Sequence, residues 1–339
     1  MKIDFYIDVI DNFGDLGFAI NLASIMLKDD TNYELRIFSN DENLFKNMIK
    51  GDSLLAKLSY FDLSKIHDFK PNNIIFNFFD RKIDFSYLNL SGENIKLINF
   101  GYFLLHRGVE NLHLTNYKVK NVEVTHFIPS LLEQTGGILI NKCEENVNRD
   151  DFLNFILDKY NLFFSIPKSS KIVSIFVYKN TLNEILEFIK TRNFEDTFFF
   201  IFGFPNLDIK IDNVIPMPFI DLKDYQDFIS YCDINFVRGE NSLVNSLIFG
   251  KATLWDIYKE NNDAHTEKID DYLRFLSIMD NYNLDYNQIM LDFNGTGVKK
   301  GFSDFINNQN NYKVMFESLG NYINKNCNAY EKIKKILKF

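Results

Sequence analysis

The sequence is poor in the residues that build covalently linked or metal-stabilised folds. Its 339 residues include only three cysteines, Cys143, Cys232 and Cys327, which lie far apart and form no Cys-x-x-Cys pair. An odd number of scattered cysteines predicts neither a zinc site nor a disulfide framework, and it fits a reducing compartment. With 46% apolar residues, the chain has enough apolar sequence to bury two sizeable hydrophobic cores instead.

Basic residues and long apolar runs are also scarce. The 37 lysines and arginines are outnumbered by 46 aspartates and glutamates, which gives a formal net charge of −9, whereas nucleic-acid-binding proteins normally carry a basic surface. The longest apolar runs, such as residues 198–204, are far too short to span a bilayer, and acidic residues interrupt any candidate signal peptide. The sequence therefore predicts a cytoplasmic protein that binds neither nucleic acid nor a membrane.

Short apolar segments of two kinds alternate along the chain. Residues 2–10 have the period-two pattern of a strand, and apolar residues then recur at helical spacing. The alternation continues to residue 128, stops at the polar segment 141–150, and restarts at residues 171–178. This pattern predicts two doubly wound α/β domains with parallel sheets, a boundary near residues 145–168, and a mostly helical end of the chain. Two such domains in succession favour a ligand held between them.

The first candidate site is the segment that joins the first strand to the first helix, residues 11–15. Open α/β sheets bind ligands beyond the carboxyl ends of their strands, and Gly14 would allow a tight turn and the close approach of a ligand. Asp11 and Asp15 could be catalytic carboxylates, or they could be a turn residue and a helix cap. No GxGxxG segment is present here and no P-loop occurs in the chain, which disfavours a nicotinamide-dependent oxidoreductase.

The second candidate site is the segment 238–242, between an apolar strand-like run and a helix. Backbone N–H groups at a helix start can hold phosphate oxygens, Ser242 adds a hydroxyl, and Arg238 adds a permanent positive charge. Glu240 could accept hydrogen bonds from sugar hydroxyls, so the segment has the chemistry that a nucleotide sugar requires. The alternative is that Asn241 or Ser242 caps the helix while Arg238 and Glu240 form a local ion pair.

Five segments together resemble one glycosyltransferase family. They are VIDNFGDLG at 9–17, TGGILI at 135–140, SIFVY at 174–178, FVRGENS at 236–242 and LWDIYKENNDAHTEKIDDYL at 254–273. In this order and at these distances they resemble the bacterial protein-arginine rhamnosyltransferases that modify elongation factor P, over roughly residues 5–275.

The resemblance implies a GT-B fold, in which two Rossmann-like doubly wound domains face each other across a cleft. Residues 1–150 would form the acceptor-side domain with the catalytic aspartates, and residues 165–315 the donor-side domain. Residues 316–339 would form a C-terminal helical segment that could pack back on the N-terminal domain.

The resemblance also implies an activity. The family moves L-rhamnose from dTDP-β-L-rhamnose to an arginine guanidinium of elongation factor P, with inversion and without a metal or other cofactor. Asp15 would be the general base and Asp11 the second catalytic aspartate. The implied substrate-binding residues are Asn12, Gly14, Phe176, Tyr178, Arg238, Glu240, Asn241 and Ser242.

Three points bear on the other interpretations. The family usually has aspartate where this chain has Asn241, and a glutamine near the position of Leu222, so a GT-B glycosyltransferase with a different nucleotide sugar or protein acceptor is the alternative function. Alternation along a strand would place Phe176 and Tyr178 on one face, so both would contact substrate or both would belong to the core. A non-enzymatic binding protein would have no need of both Asp11 and Asp15.

Overall fold

The computed structural model describes residues 1–10, 12–50, 52–140, 147–192, 194–259 and 264–338. The chain divides into two compact units. Met1–Asn141 and Asn326–Phe339 form the first unit, and Lys142–Lys325 form the second. No helix in the described part of the chain is both long enough and apolar enough to cross a membrane.

The first unit is built on a seven-stranded sheet. Its strands are β1 Lys2–Ile7, β2 Glu34–Ser39, β3 Ser59–Asp62, β4 Ile74–Phe78, β5 Ile95–Phe100, β6 Asn116–Val119 and β7 Val122–Phe127. They lie in the order β3-β2-β1-β4-β5-β7-β6, and all neighbours are parallel except β6 and β7. The strand predicted at residues 2–10 is confirmed by β1, and the alternating apolar segments that continue to residue 128 include β2, β4, β5 and β7. The predictions omitted β3 and β6 because neither strand has a buried residue to reveal a pattern.

Helices cover this sheet. They are α1 Asn12–Asp29, α2 Glu42–Met48, α3 Phe85–Asn89 and, from the end of the chain, α11 Ala329–Leu337. The apolar residues of α1 are buried in the core of the first unit, as their helical spacing predicts. Ala329, Tyr330 and Ile333 of α11 join the same core, and the Tyr330 hydroxyl donates to Asp29 Oδ2 over 2.8 Å. The last helix therefore completes the first unit.

The second unit contains a five-stranded parallel sheet and most of the helices. Its strands are β8 Lys171–Ile175, β9 Thr197–Ile201, β10 Val214–Pro216, β11 Ile234–Arg238 and β12 Ala252–Asp256, in the order β10-β9-β8-β11-β12. Its helices are α4 Arg149–Lys159, α5 Lys179–Lys190, α6 Leu222–Tyr231, α7 Gly239–Ile248, α8 Ala264–Leu276, α9 Asp285–Asn294 and α10 Val298–Asn326. The predicted helical end of the chain is confirmed by α8–α11.

The unit boundaries differ from those expected from the sequence. The first unit ends at Asn141 rather than at residue 150, because α4 buries Phe152 and Ile156 in the core of the second unit. The segment 316–339 is not one piece, since α10 continues unbroken past residue 316 and the change of unit falls after Lys325. The strand predicted over 171–178 was too long, because β8 ends at Ile175.

The segment 135–140 attaches the C-terminal helix to the first unit. The Ile138 N–H donates to the Cys327 carbonyl over 2.7 Å, and the Ala329 N–H donates to the Ile138 carbonyl over 2.9 Å. Gly137 has a φ of +74°, and a Cβ at this position would lie 2.2 Å from the Cys327 carbonyl oxygen. Only glycine fits both the left-handed backbone and the close approach.

We expect Gly137→Ala to loosen α11 from the first unit. Gly92 provides a matched control, because its φ of +66° is similar and a Cβ there would meet no atom within 4 Å. Gly92→Ala should cost about 1 kcal/mol of left-handed backbone strain, whereas Gly137→Ala adds a clash with the Cys327 backbone to that strain. Hydrogen–deuterium exchange of the α11 amides should accelerate in Gly137→Ala only. Equal exchange in the two variants would contradict this role for Gly137.

Candidate active site

In the second unit, an arginine packs against two aromatic rings at the carboxyl edge of the sheet. Arg238 is the last residue of β11, and its guanidinium carbon lies 4.4 Å from the Phe176 ring centroid and 5.2 Å from that of Tyr178. Its Nη1 also donates to the Val177 carbonyl over 3.3 Å. A cation over aromatic faces is held by the ring quadrupoles. The structure thus brings together three residues that the sequence singled out.

Phe176 and Tyr178 are both half-buried beside the same guanidinium and follow the end of β8, and Phe176 also packs against the core of the second unit. Phe176 also packs on the ring of Tyr225 in α6, 5.6 Å away. Gly203 has a φ of +85°, and a Cβ there would lie 2.7 Å from the Phe176 ring, so the absence of a side chain makes room for that ring. Tyr178 packs on the ring of Tyr258, 5.5 Å away.

The start of α7 follows directly on Arg238. The helix begins at Gly239, and no side-chain hydrogen bond from Arg238 caps it. Asn241 and Ser242 are the third and fourth helical residues, so the interpretation that either is the cap residue is wrong. Glu240 lies 3.8 Å from Lys268 Nζ in α8, and no ion pair joins it to Arg238 among the described residues. Ser242 is buried next to Tyr225. Burial raises the pKa of Tyr225, and the Ser242 hydroxyl offsets part of that rise.

Asp256 is a site residue that the sequence reasoning missed. It ends β12 directly opposite Arg238 in β11 and is only 1% exposed. Its Oδ2 accepts the Tyr178 N–H over 2.7 Å, and its Oδ1 accepts the Thr181 hydroxyl over 3.2 Å. Burial raises the pKa of Asp256 to about 6, although these hydrogen bonds oppose the rise. Asp256 therefore fixes the start of α5, and with it the Tyr178 ring beside Arg238.

In the first unit, Asp15 is buried at the carboxyl edge of the sheet. It lies in the first turn of α1 and is 4% exposed. Its Oδ2 accepts the Ile10 N–H over 2.8 Å and Nη2 of Arg81 over 3.0 Å. The second bond is an ion pair with an arginine that follows β4, a contact that no sequence pattern indicated. Asp15 is not the helix cap, because α1 begins at Asn12 and Asp15 bonds to the backbone that precedes the helix.

The other residues of the first loop are placed as follows. Gly14 lies inside the first turn of α1 and not in a tight turn before it, because α1 starts earlier than the sequence suggested. Asp11 and the side chain of Asn12 lie outside the part of the chain that the structure describes. Across the described ranges, no group of three or more His, Cys, Asp or Glu side chains is arranged to hold a metal ion.

Two Rossmann-like units of this kind are the building blocks of the GT-B fold, and comparison with solved structures supports that fold. A structure that explains EarP-mediated arginine glycosylation of translation elongation factor EF-P is similar with a TM-score of 0.62 and 14% sequence identity, covering 99% of this chain and 98% of that one. The spinosyn rhamnosyltransferase SpnG, with spinosyn aglycone bound, is similar with a TM-score of 0.57 and 10% identity, covering 99% and 100% of the two chains.

The family follows from the sequence as a whole. Residues 3–203 and 206–338 match the family model of EarP, described as an elongation factor P (EF-P) rhamnosyltransferase, and the chain belongs to this family. The protein-arginine rhamnosyltransferase of Pseudomonas putida is 22% identical over 303 residues, which cover 80% of each chain. The GT-B fold and the family resemblance inferred from the sequence are thereby confirmed.

We expect Asp256→Asn to remove part of the pH dependence of stability of the second unit. Between its ordinary pKa of 3.8 and its folded value of about 6, the native state keeps a proton that the unfolded chain releases. The free energy of unfolding therefore falls as the pH rises through this window. The full decrease is reached only above the window. Asparagine does not titrate, can still accept the Tyr178 N–H and can contact Thr181. In the wild-type protein the free energy of unfolding should decrease by at most about 3 kcal/mol across this window, and Asp256→Asn should remove that decrease.

Urea unfolding at pH 4.5 and pH 7.5 measures this difference. Fluorescence of Trp255, the only tryptophan of the chain, reports directly on β12. The exposed Asp212 gives the control, because Asp212→Asn should keep the wild-type difference between the two pH values. An Asp256→Asn protein with the wild-type pH dependence would show that Asp256 does not hold its proton in this range.

Proposed function

We propose that the protein transfers L-rhamnose from dTDP-β-L-rhamnose to an arginine guanidinium of elongation factor P, with inversion at the anomeric carbon and without a metal or other cofactor. The observation that carries the proposal is the match to the EF-P rhamnosyltransferase family over almost the whole chain, which includes both candidate sites. We further propose that the enzyme acts in the cytoplasm, where its acceptor works in translation.

The donor would bind at the carboxyl edge of the second-unit sheet. As the sugar leaves, the dTDP group gathers negative charge, and catalysis requires positive groups fixed in advance at that place. Arg238 adds a positive charge and is held against Phe176 and Tyr178. The backbone N–H groups of the first turn of α7, together with the Ser242 hydroxyl, suit the phosphate oxygens, and Glu240 suits the sugar hydroxyls.

The acceptor would meet Asp15 and Asp11. An arginine guanidinium is a poor nucleophile because its lone pairs are delocalised in a cation with a pKa above about 12. A carboxylate pair can orient the planar group by charge-assisted hydrogen bonds. As the guanidinium nitrogen forms its bond to the anomeric carbon, the bond from that carbon to the diphosphate oxygen breaks. Asp15 takes the proton from nitrogen, and the electron pair of the broken bond leaves with dTDP.

A GT-B glycosyltransferase with another nucleotide sugar or protein acceptor is the second candidate. Asn241 is exposed in the first turn of α7, and Leu222 is exposed at the start of α6, one turn before Tyr225, whose ring packs on Phe176. Both differ from what the family usually has at these positions. Either difference could alter which nucleotide the donor site accepts.

Intact-mass analysis of elongation factor P from the same source tests the proposal. We expect one added deoxyhexose on a single arginine after incubation with dTDP-β-L-rhamnose, with or without EDTA. Loss of transfer in EDTA would contradict the metal-independent mechanism. Donor binding without transfer would point to another acceptor. If neither donor binding nor rhamnose transfer is detected, the second candidate is favoured, and other nucleotide sugars would then be screened.

Two variants should separate the acceptor site from the donor site. Asp15→Asn keeps a hydrogen-bond acceptor for the Ile10 N–H but loses the base, so we expect turnover to fall about 100- to 10,000-fold with unchanged donor affinity. Glu240→Ala should instead weaken the binding of dTDP-β-L-rhamnose, measured by calorimetry. Wild-type turnover in Asp15→Asn would exclude it as the base, and wild-type donor affinity in Glu240→Ala would remove Glu240 from the donor site.

A further inference from the structure

The loop that follows β4 has an unusual backbone. Phe79 and Asp80 are consecutive non-glycine residues with φ of +61° and +53°. Left-handed backbone is unfavourable for residues with a Cβ, and it persists only where the surroundings enforce it. Such positions concentrate at functional sites, so the cause of this conformation is informative.

A chain of buried amides enforces it. Asn77 in β4 is 2% exposed and Asn99 in β5 is 7% exposed. The Asn77 side-chain amide donates to the Asn99 side-chain oxygen, and Asn99 in turn donates to Asp80 Oδ1. The Asp80 N–H donates to the Phe100 carbonyl over 3.0 Å. The second amide hydrogen of Asn77 is donated to the Arg81 carbonyl over 2.7 Å, so the network ends on the backbone of Arg81.

The loop places the Arg81 guanidinium on Asp15. The Arg81 side chain is 16% exposed, and its Nη2 donates to Asp15 Oδ2 over 3.0 Å. Its Nε donates to the Asp8 carbonyl over 3.2 Å, and its guanidinium carbon lies 5.9 Å from the Tyr102 ring centroid. Two donors of one planar group therefore contact two different segments, and the guanidinium is fixed in direction as well as in position.

We propose that Arg81 is a positioning residue of the catalytic centre, which fixes the carboxylate of Asp15 in the orientation that rhamnosyl transfer requires. The inference rests on the proposed function, since it takes Asp15 as the base. A salt bridge with a purely structural role would need neither two left-handed residues nor a buried amide chain. Here both fix the backbone that leads to Arg81, whose guanidinium bonds to Asp15.

The positioning acts on the chemical step, and it does not involve the residues that would bind the donor.

Steady-state kinetics of Arg81 variants test the proposal. We expect Arg81→Ala to lower kcat about 100-fold, the scale expected when a reacting group is misplaced by about 1 Å, while the KM for dTDP-β-L-rhamnose stays at its wild-type value. Millimolar guanidinium should restore part of the lost kcat by filling the vacated position, and ammonium at equal concentration should not. Arg81→Lys should retain more activity than Arg81→Ala, because its single ammonium replaces the charge but not the fork.

The controls separate the possible failures. Arg192 is an exposed arginine just beyond the end of α5, and Arg192→Ala should keep wild-type kcat and show no response to guanidinium. Circular dichroism of the tyrosines shows whether Arg81→Ala folds. If it does not fold, the kcat of Arg81→Lys is the deciding measurement. A wild-type kcat in Arg81→Lys and Arg81→Ala, or a loss that guanidinium cannot restore, overturns the inference alone. A wild-type enzyme that transfers no rhamnose overturns the proposed function, and the inference with it.

Discussion

A carboxylate that is buried at the carboxyl edge of a sheet must be given hydrogen-bond donors, because its desolvation is otherwise too costly. Each unit contains one. Asp15 is supplied by the Ile10 N–H and by Arg81, and Asp256 by the Tyr178 N–H and by the Thr181 hydroxyl. In both cases a donor is a backbone group of the loop at that edge, so satisfying the carboxylate also fixes the loop.

An arginine stands beside each of these carboxylates, but the two have different partners. Arg81 bonds directly to Asp15, so its charge is largely neutralised within the first unit. Arg238 packs against aromatic rings and donates to a carbonyl, and no ion pair with a described carboxylate neutralises it. The bond from Arg81 to Asp15 suits a carboxylate that must be held in one orientation to act as a base. The packing of Arg238 leaves a cation available for an anionic ligand, as the leaving diphosphate of a nucleotide sugar requires.

The sequence predicted the elements whose apolar pattern repeats locally, and it missed the features that depend on contacts between residues distant in the chain. The apolar spacing of α1 and the alternation of the central strands gave the fold class, because each pattern reflects burial on one face. The grouping of Phe176, Tyr178 and Arg238 was anticipated only through the family resemblance. Arg81 and Asp15 are 66 residues apart, and no motif marks either Arg81 or the strained backbone before it. Asp256 lay inside a recognised motif, and a carboxylate that ends an apolar strand was the signal that could have identified it.

The substitution at Asn241 can be judged from its place in α7. The third residue of that helix is close to the N–H groups that would hold the donor phosphates, where an aspartate would also compete for the positive end of the helix dipole. Asparagine keeps a polar side chain of the same size and brings no repulsion toward a diphosphate. Glu240, 3.8 Å from Lys268, then remains the acidic group of the first turn, and its charge is partly balanced. Asn241 therefore leaves the first turn of α7 less negative than an aspartate would, which is compatible with the nucleotide-sugar binding proposed for this turn.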